Sequence, residues 1–178
     1  MLSIIIAFPK IDDVKSIKNV LIRNGYEVNA TCTTGAQVIG IADELDGGIV
    51  ISGYRFPDMH FSELNSYLPK GFKMLLIASP AKLAESSENN IVCLSMPLKI
   101  HDLLNTLQMM TYDYTRHKKK EKLKFRSEEE KIIINKAKQV LMVRNNMTEE
   151  EAHRYIQKNS MDSGTNMAQM AEMILNLL

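Results

Sequence analysis

Short apolar segments alternate with amphipathic ones through the first hundred residues of the chain. Residues 2–8 form the first apolar segment, which is rich in β-branched residues, is closed by Pro9 and predicts a strand buried on both faces. Four similar runs follow, each separated from the next by a stretch long enough for a helix, at residues 27–32, 48–52, 73–78 and 91–95.

Strands that alternate with helices favour a parallel sheet, because a parallel neighbour is reached by a right-handed crossover and not by a tight turn. Between the first two runs, Val14, Ile17 and Leu21 recur at helical spacing before Gly25, a residue type that commonly ends a helix. Five such units in about 110 residues predict a flavodoxin-like α/β domain with strand order 2-1-3-4-5. The fourth crossover, at residues 81–88, fits either a helix or a loop of one or two turns. The residues that favour turns there are Ser86, Ser87, Asn89 and Asn90.

The pattern becomes that of continuous helix after Pro97. An apolar stripe begins at Leu103, and neither Gly nor Pro occurs between residues 98 and 146. These features allow one helix of more than forty residues, which is longer than a domain of this size buries alone, so we expect a partner. Residues 116–126 carry seven Lys or Arg against one Glu, with few apolar positions. That segment fits a solvated helical linker, a coiled coil or a break.

The last part of the chain predicts three helices in a small bundle. The first helix is expected to end at Asn145 and Asn146. Thr148 and Glu151 match a capping box, which starts the second helix, and Thr165 is the expected cap of the third. Such a small core is marginal unless dimerisation adds buried area. Apolar residues at helical spacing give each helix one buried face: Ile133, Ala137, Val140 and Leu141, then Ala152, Tyr155 and Ile156, then Met167, Met170, Ala171, Ile174, Leu175 and Leu178.

Composition and charge support two dissimilar parts. The chain of 178 residues is 45% apolar and 24% charged, which excludes a disordered chain, and its net charge is +1. Residues 1–115 carry nine Lys and Arg against twelve Asp and Glu, whereas residues 116–178 carry thirteen against nine. We expect an α/β domain at residues 1–110, a helical linker or coiled coil at residues 111–130 and a three-helix domain at residues 131–178.

The sequence offers no sign of a disulfide framework, a metal site or a membrane segment. Cys32 and Cys93 lie far apart without CxxC or Cys/His spacing, which fits a reducing compartment. The apolar N-terminus lacks a basic n-region, and no apolar run approaches a membrane span. We therefore expect a cytoplasmic protein without metal or cofactor. The histidines have no ligand spacing and are expected to be solvated on the surface: His60, His101, His117 and His153.

Two sets of motifs resemble known families. Residues 54–59 resemble the loop after the third strand of a response-regulator receiver, and residues 95–98 resemble its Lys-Pro corner. The tail is similar to the ANTAR domain, the RNA-binding module of transcription antitermination regulators. The two resemblances together cover nearly the whole chain. The matching tail segments are residues 136–142, Arg144, 147–149, 151–152, 154–155, 157–158, 160–161, 170–171 and 174–175.

The first domain departs from the receiver pattern where phosphorylation takes place. A receiver needs an acidic pair for Mg²⁺, an aspartate nucleophile, a Ser or Thr and a Lys at the ends of its strands. Alignment on the motifs places Phe8 and Pro9 at the acidic pair, Gly53 at the nucleophile, and Ala78 and Met96 at the Thr and Lys. We therefore expect a pseudo-receiver that is independent of phosphorylation, and a protein that is not an enzyme.

Nearby polar residues do not restore this chemistry. Asp12 and Asp13 are expected to complement the start of the first helix. Asp58 belongs to a loop position that is also acidic in active receivers, so it is not a replacement nucleophile. Ser52 and Ser79 have no adjacent base in the sequence, which leaves their hydroxyls unactivated.

The ANTAR resemblance implies binding to tandem RNA hairpins through their terminal loops, which stabilises an antiterminator. Single-stranded loops suit Arg, Lys, Ser and aromatic contacts. Tyr155 fits either a stacking platform or a core aromatic, with the core favoured. Four further residues of the tail are expected to pack: Ala137, Leu141, Ala152 and Met161. The expected RNA contacts are Lys136, Lys138, Arg144, Arg154, Lys158 and Ser160.

These inferences favour a dimeric RNA-binding antitermination regulator, controlled by a partner protein, a ligand or its abundance. One feature favours an alternative, a protein-interaction scaffold that has lost RNA binding. Residues 162–165 supply none of the basic residues that many ANTAR domains carry after the Ser-Met pair, unless residues 118–126 compensate. A DNA-binding regulator would need a recognition helix that the tail lacks.

Overall fold

The computed structural model describes residues 2–85 and 91–177, and the chain divides into two units, Met1–Arg116 and His117–Leu178. Five β/α units make up most of the first unit. Its elements are β1 (Ser3–Ala7), α1 (Ile11–Arg23), β2 (Ala30–Cys32), α2 (Gly35–Asp43), β3 (Gly48–Ser52), α3 (Phe61–Tyr67), β4 (Phe72–Ala78), α4 (Pro80–Ala84) and β5 (Ile91–Ser95). Three helices follow, α5 (Ile100–Asn145), α6 (Glu149–Ser163) and α7 (Met167–Leu177).

The strands form one parallel sheet in the order β2-β1-β3-β4-β5, which confirms the flavodoxin-like prediction. Ile5 of β1 lies opposite Ala30 of β2 on one side and Val50 of β3 on the other. β1, β3 and nearly all of β4 are buried. Full burial was wrong for the two edge strands, β2 and β5, where Thr31, Cys93 and Ser95 are exposed, because an edge strand has a neighbour on one side only.

The sheet separates two apolar layers. Successive residues of a strand point to opposite faces, so Ile4 and Ile6 pack with α1 and α5, whereas Ile5 and Ala7 pack with α2 and α3. Because all five strands run in the same direction, their carboxyl ends meet at one edge of the sheet. The loops that follow them are therefore brought together.

Two elements of the first unit differ from their predicted bounds. β2 begins at Ala30 and not at residue 27, because the side chain of Asn29 replaces one rung of the ladder. The N–H of Ile4 donates to Asn29 Oδ1 at 2.8 Å, and the N–H of Asn29 donates to Ile4 O at 2.9 Å. α4 has only five residues, and the turn predicted at residues 86–90 lies outside the described residues.

α5 is a single helix of 46 residues, which the absence of Gly and Pro allows, and it has no break at residues 116–126. Leu103, Leu107, Met110 and Tyr114 on its first part are buried in the first unit. The boundary between the two units falls within this helix, between Arg116 and His117.

In the second unit, α6, α7 and the last part of α5 enclose a small core. Its fully covered residues are Ala137, Leu141, Ala152, Ile156, Ala171 and Ile174. The predicted apolar stripes therefore contribute these residues to the core, except that Tyr155 of the α6 stripe is exposed. Leu178 of the last stripe lies outside the described residues.

Local signals define the ends of these helices. α5 ends at Asn145, and Asn146 takes a positive φ of 53°. Gly164 ends α6 in the left-handed conformation, and the N–H of Thr165 donates to Ser160 O at 3.0 Å, as in a Schellman motif. The expectation that Thr165 caps α7 was wrong. Asn166 does so, because its Oδ1 accepts from the N–H of Gln169 at 2.8 Å.

Candidate nucleic-acid interface

The start of α6 is set by the predicted capping box. The N–H of Glu151 donates to Thr148 Oγ1 at 3.3 Å, and the N–H of Thr148 donates to Glu151 Oε2 at 2.8 Å. The backbone N–H and then the hydroxyl of Thr148 hold the pKa of the Glu151 carboxyl below its ordinary value. These bonds fix where α6 begins, and therefore which of its residues face outward.

Lys138 ties α5 to the first turn of α6. Its Nζ donates to Glu149 Oε1 at 2.9 Å, and only 14% of the Lys138 side chain is exposed. This hydrogen bond, followed by the charge of Lys138, lowers the pKa of Glu149. Lys138 therefore holds two helices in register, in addition to any contact that it makes with a ligand.

The outer face of α6 carries Arg154, Lys158 and Met161, which recur at spacings of four and three and are all exposed. This face lies opposite Ala152 and Ile156, which belong to the core. The three exposed residues line a shallow groove together with Gln157 and Asp162. The guanidinium of Arg154 also pairs with the Glu150 carboxylate one turn earlier.

Two packing predictions on α6 were wrong. Met161 is 74% exposed and Tyr155 is 42% exposed. Helical spacing explains the exposure of Met161, because this residue lies seven residues after Arg154 and therefore on the same outer face of α6. The sequence-based predictions did not place Met161 or Gln157 on the surface. Helical spacing measured from Arg154 indicates that both lie on the exposed side of α6.

The remaining predicted contacts are distributed over different surfaces. Lys136 and Lys138 flank Ala137, so they project to opposite sides of the buried stripe of α5. Arg144 is exposed near the end of α5. Ser160 is buried, and its hydroxyl donates to Gln157 O at 2.7 Å. The structure thus brings Arg154 and Lys158 together on one face and places Ser160 within the bundle.

The basic run at residues 116–126 lies along α5 and is exposed throughout. It includes two large apolar side chains, Leu123 and Phe125, that the described residues leave uncovered. The run is thus both cationic and apolar, which suits contact with a nucleic acid or with another helix.

The strand ends of the first unit enclose a cavity of about 520 Å³. All five residues that the alignment placed at the phosphorylation positions line it: Phe8, Pro9, Gly53, Ala78 and Met96. None of these side chains supplies an oxygen ligand for Mg²⁺ or a nucleophile.

Asp58 and Ser52, two of the residues considered as substitutes for the missing chemistry, have structural partners in the backbone. Asp58 Oδ1 and Oδ2 accept from the N–H groups of Gly35 and Ala36, at 2.9 and 2.8 Å. Burial would raise the pKa of Asp58, but the backbone N–H groups of Ala36 and Gly35 outweigh that effect and lower it. The Ser52 hydroxyl donates to Gly53 O at 2.9 Å.

Other polar groups also have structural positions. Asp12 and Asp13 lie in the first turn of α1, where carboxylates complement the helix dipole, although the N-cap itself is Lys10. Ser79 is the N-cap of α4, and its hydroxyl makes no capping bond.

One histidine differs from its prediction. His60 is half-buried, with its ring centroid 4.5 Å from that of Tyr54 and its Nδ1 2.8 Å from Ser62 Oγ. It is held there because it is the N-cap of α3 and packs beside Phe61. His101, His117 and His153 are exposed.

Within residues 2–85 and 91–177, no cluster of three or more His, Cys, Asp or Glu side chains is arranged to hold a metal ion. The helices of this described part also include none that is both long and apolar enough to cross a bilayer.

Comparison with known proteins identifies the tail. Residues 121–175 match the ANTAR domain family. This span contains the capping box, the outer face of α6 and the whole apolar core of the second unit. No curated protein matches the chain.

Solved structures resemble the chain in fold. Chemotaxis protein CheY4 of Vibrio cholerae is 24% identical, with a TM-score of 0.51 over 61% of this chain and 98% of that one. A signal receiver domain of an HD domain-containing protein from Pseudomonas fluorescens is 17% identical, with a TM-score of 0.59 over 66% and 92%. An adenylate cyclase from Rhodopirellula baltica is 18% identical, with a TM-score of 0.62 over 68% and 95%. At these identities the likeness shows the receiver fold alone.

Proposed function

We propose that this chain, a receiver fold followed by an ANTAR domain at residues 121–175, is a non-enzymatic RNA-binding regulator of transcription antitermination. ANTAR domains form an RNA-binding antitermination family. The RNA ligand of this protein would be a pair of hairpins in a nascent leader transcript, whose binding stabilises an antiterminator.

The observation that carries this proposal is the outer face of α6. Arg154 and Lys158 stand one turn apart on an exposed surface, and the half-exposed ring of Tyr155 lies beside them. Cations neutralise phosphates, and an exposed aromatic ring offers a platform for an unstacked loop base. Lys136, Lys138 and Arg144 on α5 would add phosphate contacts, while the buried Ser160 would act by shaping the helix.

The proposed regulator works without phosphorylation. Gly53 lines the cavity at the strand ends at the position where the nucleophile would stand. Both carboxylate oxygens of Asp58 accept hydrogen bonds from the first N–H groups of α2. Control would come from a protein partner, a ligand or the amount of protein present. We place the regulator in the cytoplasm, where nascent transcripts occur, and as a homodimer that presents two RNA-binding domains to two hairpins.

The test is equilibrium binding of the full chain to a fluorescent RNA with two hairpins, chosen by crosslinking the protein to cellular RNA and sequencing the fragments. Arg154→Glu and Lys158→Glu should each weaken binding by about ten-fold or more at low salt, because a repulsion replaces an attraction to phosphate. Lys70→Glu, which makes the same charge change on the first unit, should bind as tightly as the wild type.

Retention of RNA with the same affinity in both α6 variants would contradict the proposed contacts. Failure of the wild type to retain any cellular RNA at low salt would contradict the function itself. Lys138→Glu is a poor first test, because it would place a second carboxylate against Glu149 and disturb the start of α6.

A second candidate is a protein-interaction scaffold that no longer binds RNA. Two observations favour it: Asp162 lines the groove beside Lys158, and both Lys138 and Arg154 are already paired with glutamates. A scaffold would leave the RNA crosslinking sample empty, yet would co-purify with one protein in a constant ratio.

A further inference from the structure

The cavity at the strand ends lies where open α/β sheets bind ligands. Residues that directly follow β1, β3 and β5 line it, and they are Phe8, Gly53 and Met96. The strand order reverses between β1 and β3, and the crevice outside such a reversal is the usual ligand position in this architecture. Its volume of about 520 Å³ lies within the range of small-molecule sites, roughly 300 to 1,000 Å³.

The walls of this cavity are mainly apolar. Phe8, Ile17, Ile77 and Leu103 line it and also belong to the core layer on one face of the sheet. Gly53 forms part of the lining, and a Cβ there would approach Phe8 Cδ1 to 3.0 Å. Glycine thus leaves room beside Phe8, and the cavity favours a ligand with an apolar body.

The charged part of the lining is mainly cationic. Among the described residues, Lys10, Arg55 and Lys82 line the cavity, and Asp13 is the one carboxylate there. Lys82 Nζ lies 5.2 Å from the centroid of the Tyr54 ring, which also lines the cavity. A surplus of cations beside apolar walls is complementary to an anion that carries an apolar group.

We propose that this cavity binds a small organic anion, an aromatic or aliphatic carboxylate whose apolar body lies against Phe8 and the exposed side chains of Met96 and Ile100, which also line the cavity. Its carboxylate would lie toward Lys10 and Lys82. The site is separate from the RNA-binding face of α6, and the proposal goes beyond the antitermination function because it assigns a ligand class to the first unit. Inorganic phosphate is not the expected ligand, since it would leave the apolar walls uncovered.

The test compares two probes of the same shape, 1-naphthylacetate and the uncharged 1-naphthylacetamide, titrated into the full chain by calorimetry. The anion should bind at least about ten-fold more tightly than the amide, because only the anion meets the cations. Inorganic phosphate alone should bind more weakly than the naphthyl anion.

Variants locate the binding. Lys10→Glu and Lys82→Glu should each weaken binding of the naphthyl anion by about five- to ten-fold. Ser79→Trp should abolish binding of both probes by filling the cavity, at little cost to α4, whose N-cap hydroxyl makes no capping bond. Lys15→Glu changes the charge of α1 equally without lining the cavity, and should bind like the wild type.

Three results would overturn the site: equal affinity for anion and amide, no heat from either probe at millimolar concentration, or undiminished binding by Ser79→Trp. Circular dichroism checks that each variant is folded. If Ser79→Trp does not fold, Lys10→Glu and Lys82→Glu still test the site. RNA binding is measured on the same samples, so a failure of the antitermination proposal leaves these results unchanged.

Discussion

Asp58 shows how a single carboxylate acts far from its own position in the sequence. It belongs to the loop after β3, yet its two oxygens accept from the first N–H groups of α2. Those N–H groups have no partner within their own helix, and the positive end of the helix dipole adds to the attraction. The residue therefore stabilises the junction between a loop and a helix.

We expect Asp58→Ala to lower the free energy of unfolding by about 1 kcal/mol at neutral pH, the usual effect of losing a helix cap. Because the pKa of Asp58 is lowered in the folded protein, its contribution is complete above the unfolded pKa of about 3.9 and is lost as the pH falls through the folded value. Urea unfolding at several pH values measures this. Asp43→Ala, at the other end of α2, should cause no comparable loss.

Gly53 lacks a side chain that could accept a phosphoryl group. A chain with glycine at the nucleophile position has no carboxylate there to form an acyl-phosphate. Incubation of the full chain with acetyl phosphate and Mg²⁺ should therefore leave its intact mass unchanged. A gain of one phosphate, mapped by peptide sequencing to the first unit, would contradict the phosphorylation-independent proposal.

At the scale of elements, α6 is defined at both ends by local chemistry. The capping box of Thr148 and Glu151 starts it, and the left-handed Gly164 stops it. Between these points, one face joins the core through Ala152 and Ile156 and the opposite face is left to solvent. The positions of the two ends thus help to decide which side chains of α6 are exposed.

Thr148→Ala should lower the free energy of unfolding of the second unit by about 1 kcal/mol, because the N–H of Glu151 loses its acceptor and the Glu151 carboxylate loses the hydroxyl that donates to it. Hydrogen exchange of the first-turn amides of α6 measures the effect within the full chain. Thr165→Ala is the matched control, since Asn166 and not Thr165 caps α7, and it should change stability by less than about 0.5 kcal/mol. Equal exchange in both variants would contradict this assignment.

At the scale of the whole molecule, the middle of α5 leaves large apolar side chains exposed in the described part of the chain. Phe125 is 66% exposed and Ile132 is 54% exposed, and they lie seven residues apart on one side of the helix. An isolated helix in water gains little stability by itself. We therefore propose that the α5 helix of a second copy of the chain packs against this side.

We therefore expect the full chain to sediment as a dimer and Phe125→Glu with Ile132→Glu to sediment as a monomer. RNA with two hairpins should then bind the double variant more weakly than the wild type, because the two domains are no longer linked. Ile22→Glu replaces an exposed apolar residue of α1 and should remain dimeric. A monomeric wild type at micromolar concentration would contradict the dimer.

Periodicity and capping signals were sufficient for the architecture. The alternation of strands and helices and the start of α6 follow from short-range patterns, because apolar spacing and caps act within one or two turns, whereas the strand order follows from the usual topology of such β/α units. The resemblance to receivers, and not periodicity, picked out five residues at the strand ends that line the cavity. Met161 was wrongly predicted to pack, although helical spacing from Arg154 places it on the exposed face of α6.

The sequence by itself determined which elements form, since apolar spacing and caps are local, and its resemblance to receivers indicated which chemistry is absent from the strand ends. Only the tertiary structure decided that Asp58 caps α2, that Lys138 pairs with Glu149 and that apolar and cationic residues share one cavity. These contacts join residues that are distant in the chain. Their geometry depends on how loops and helices pack, which no local pattern specifies.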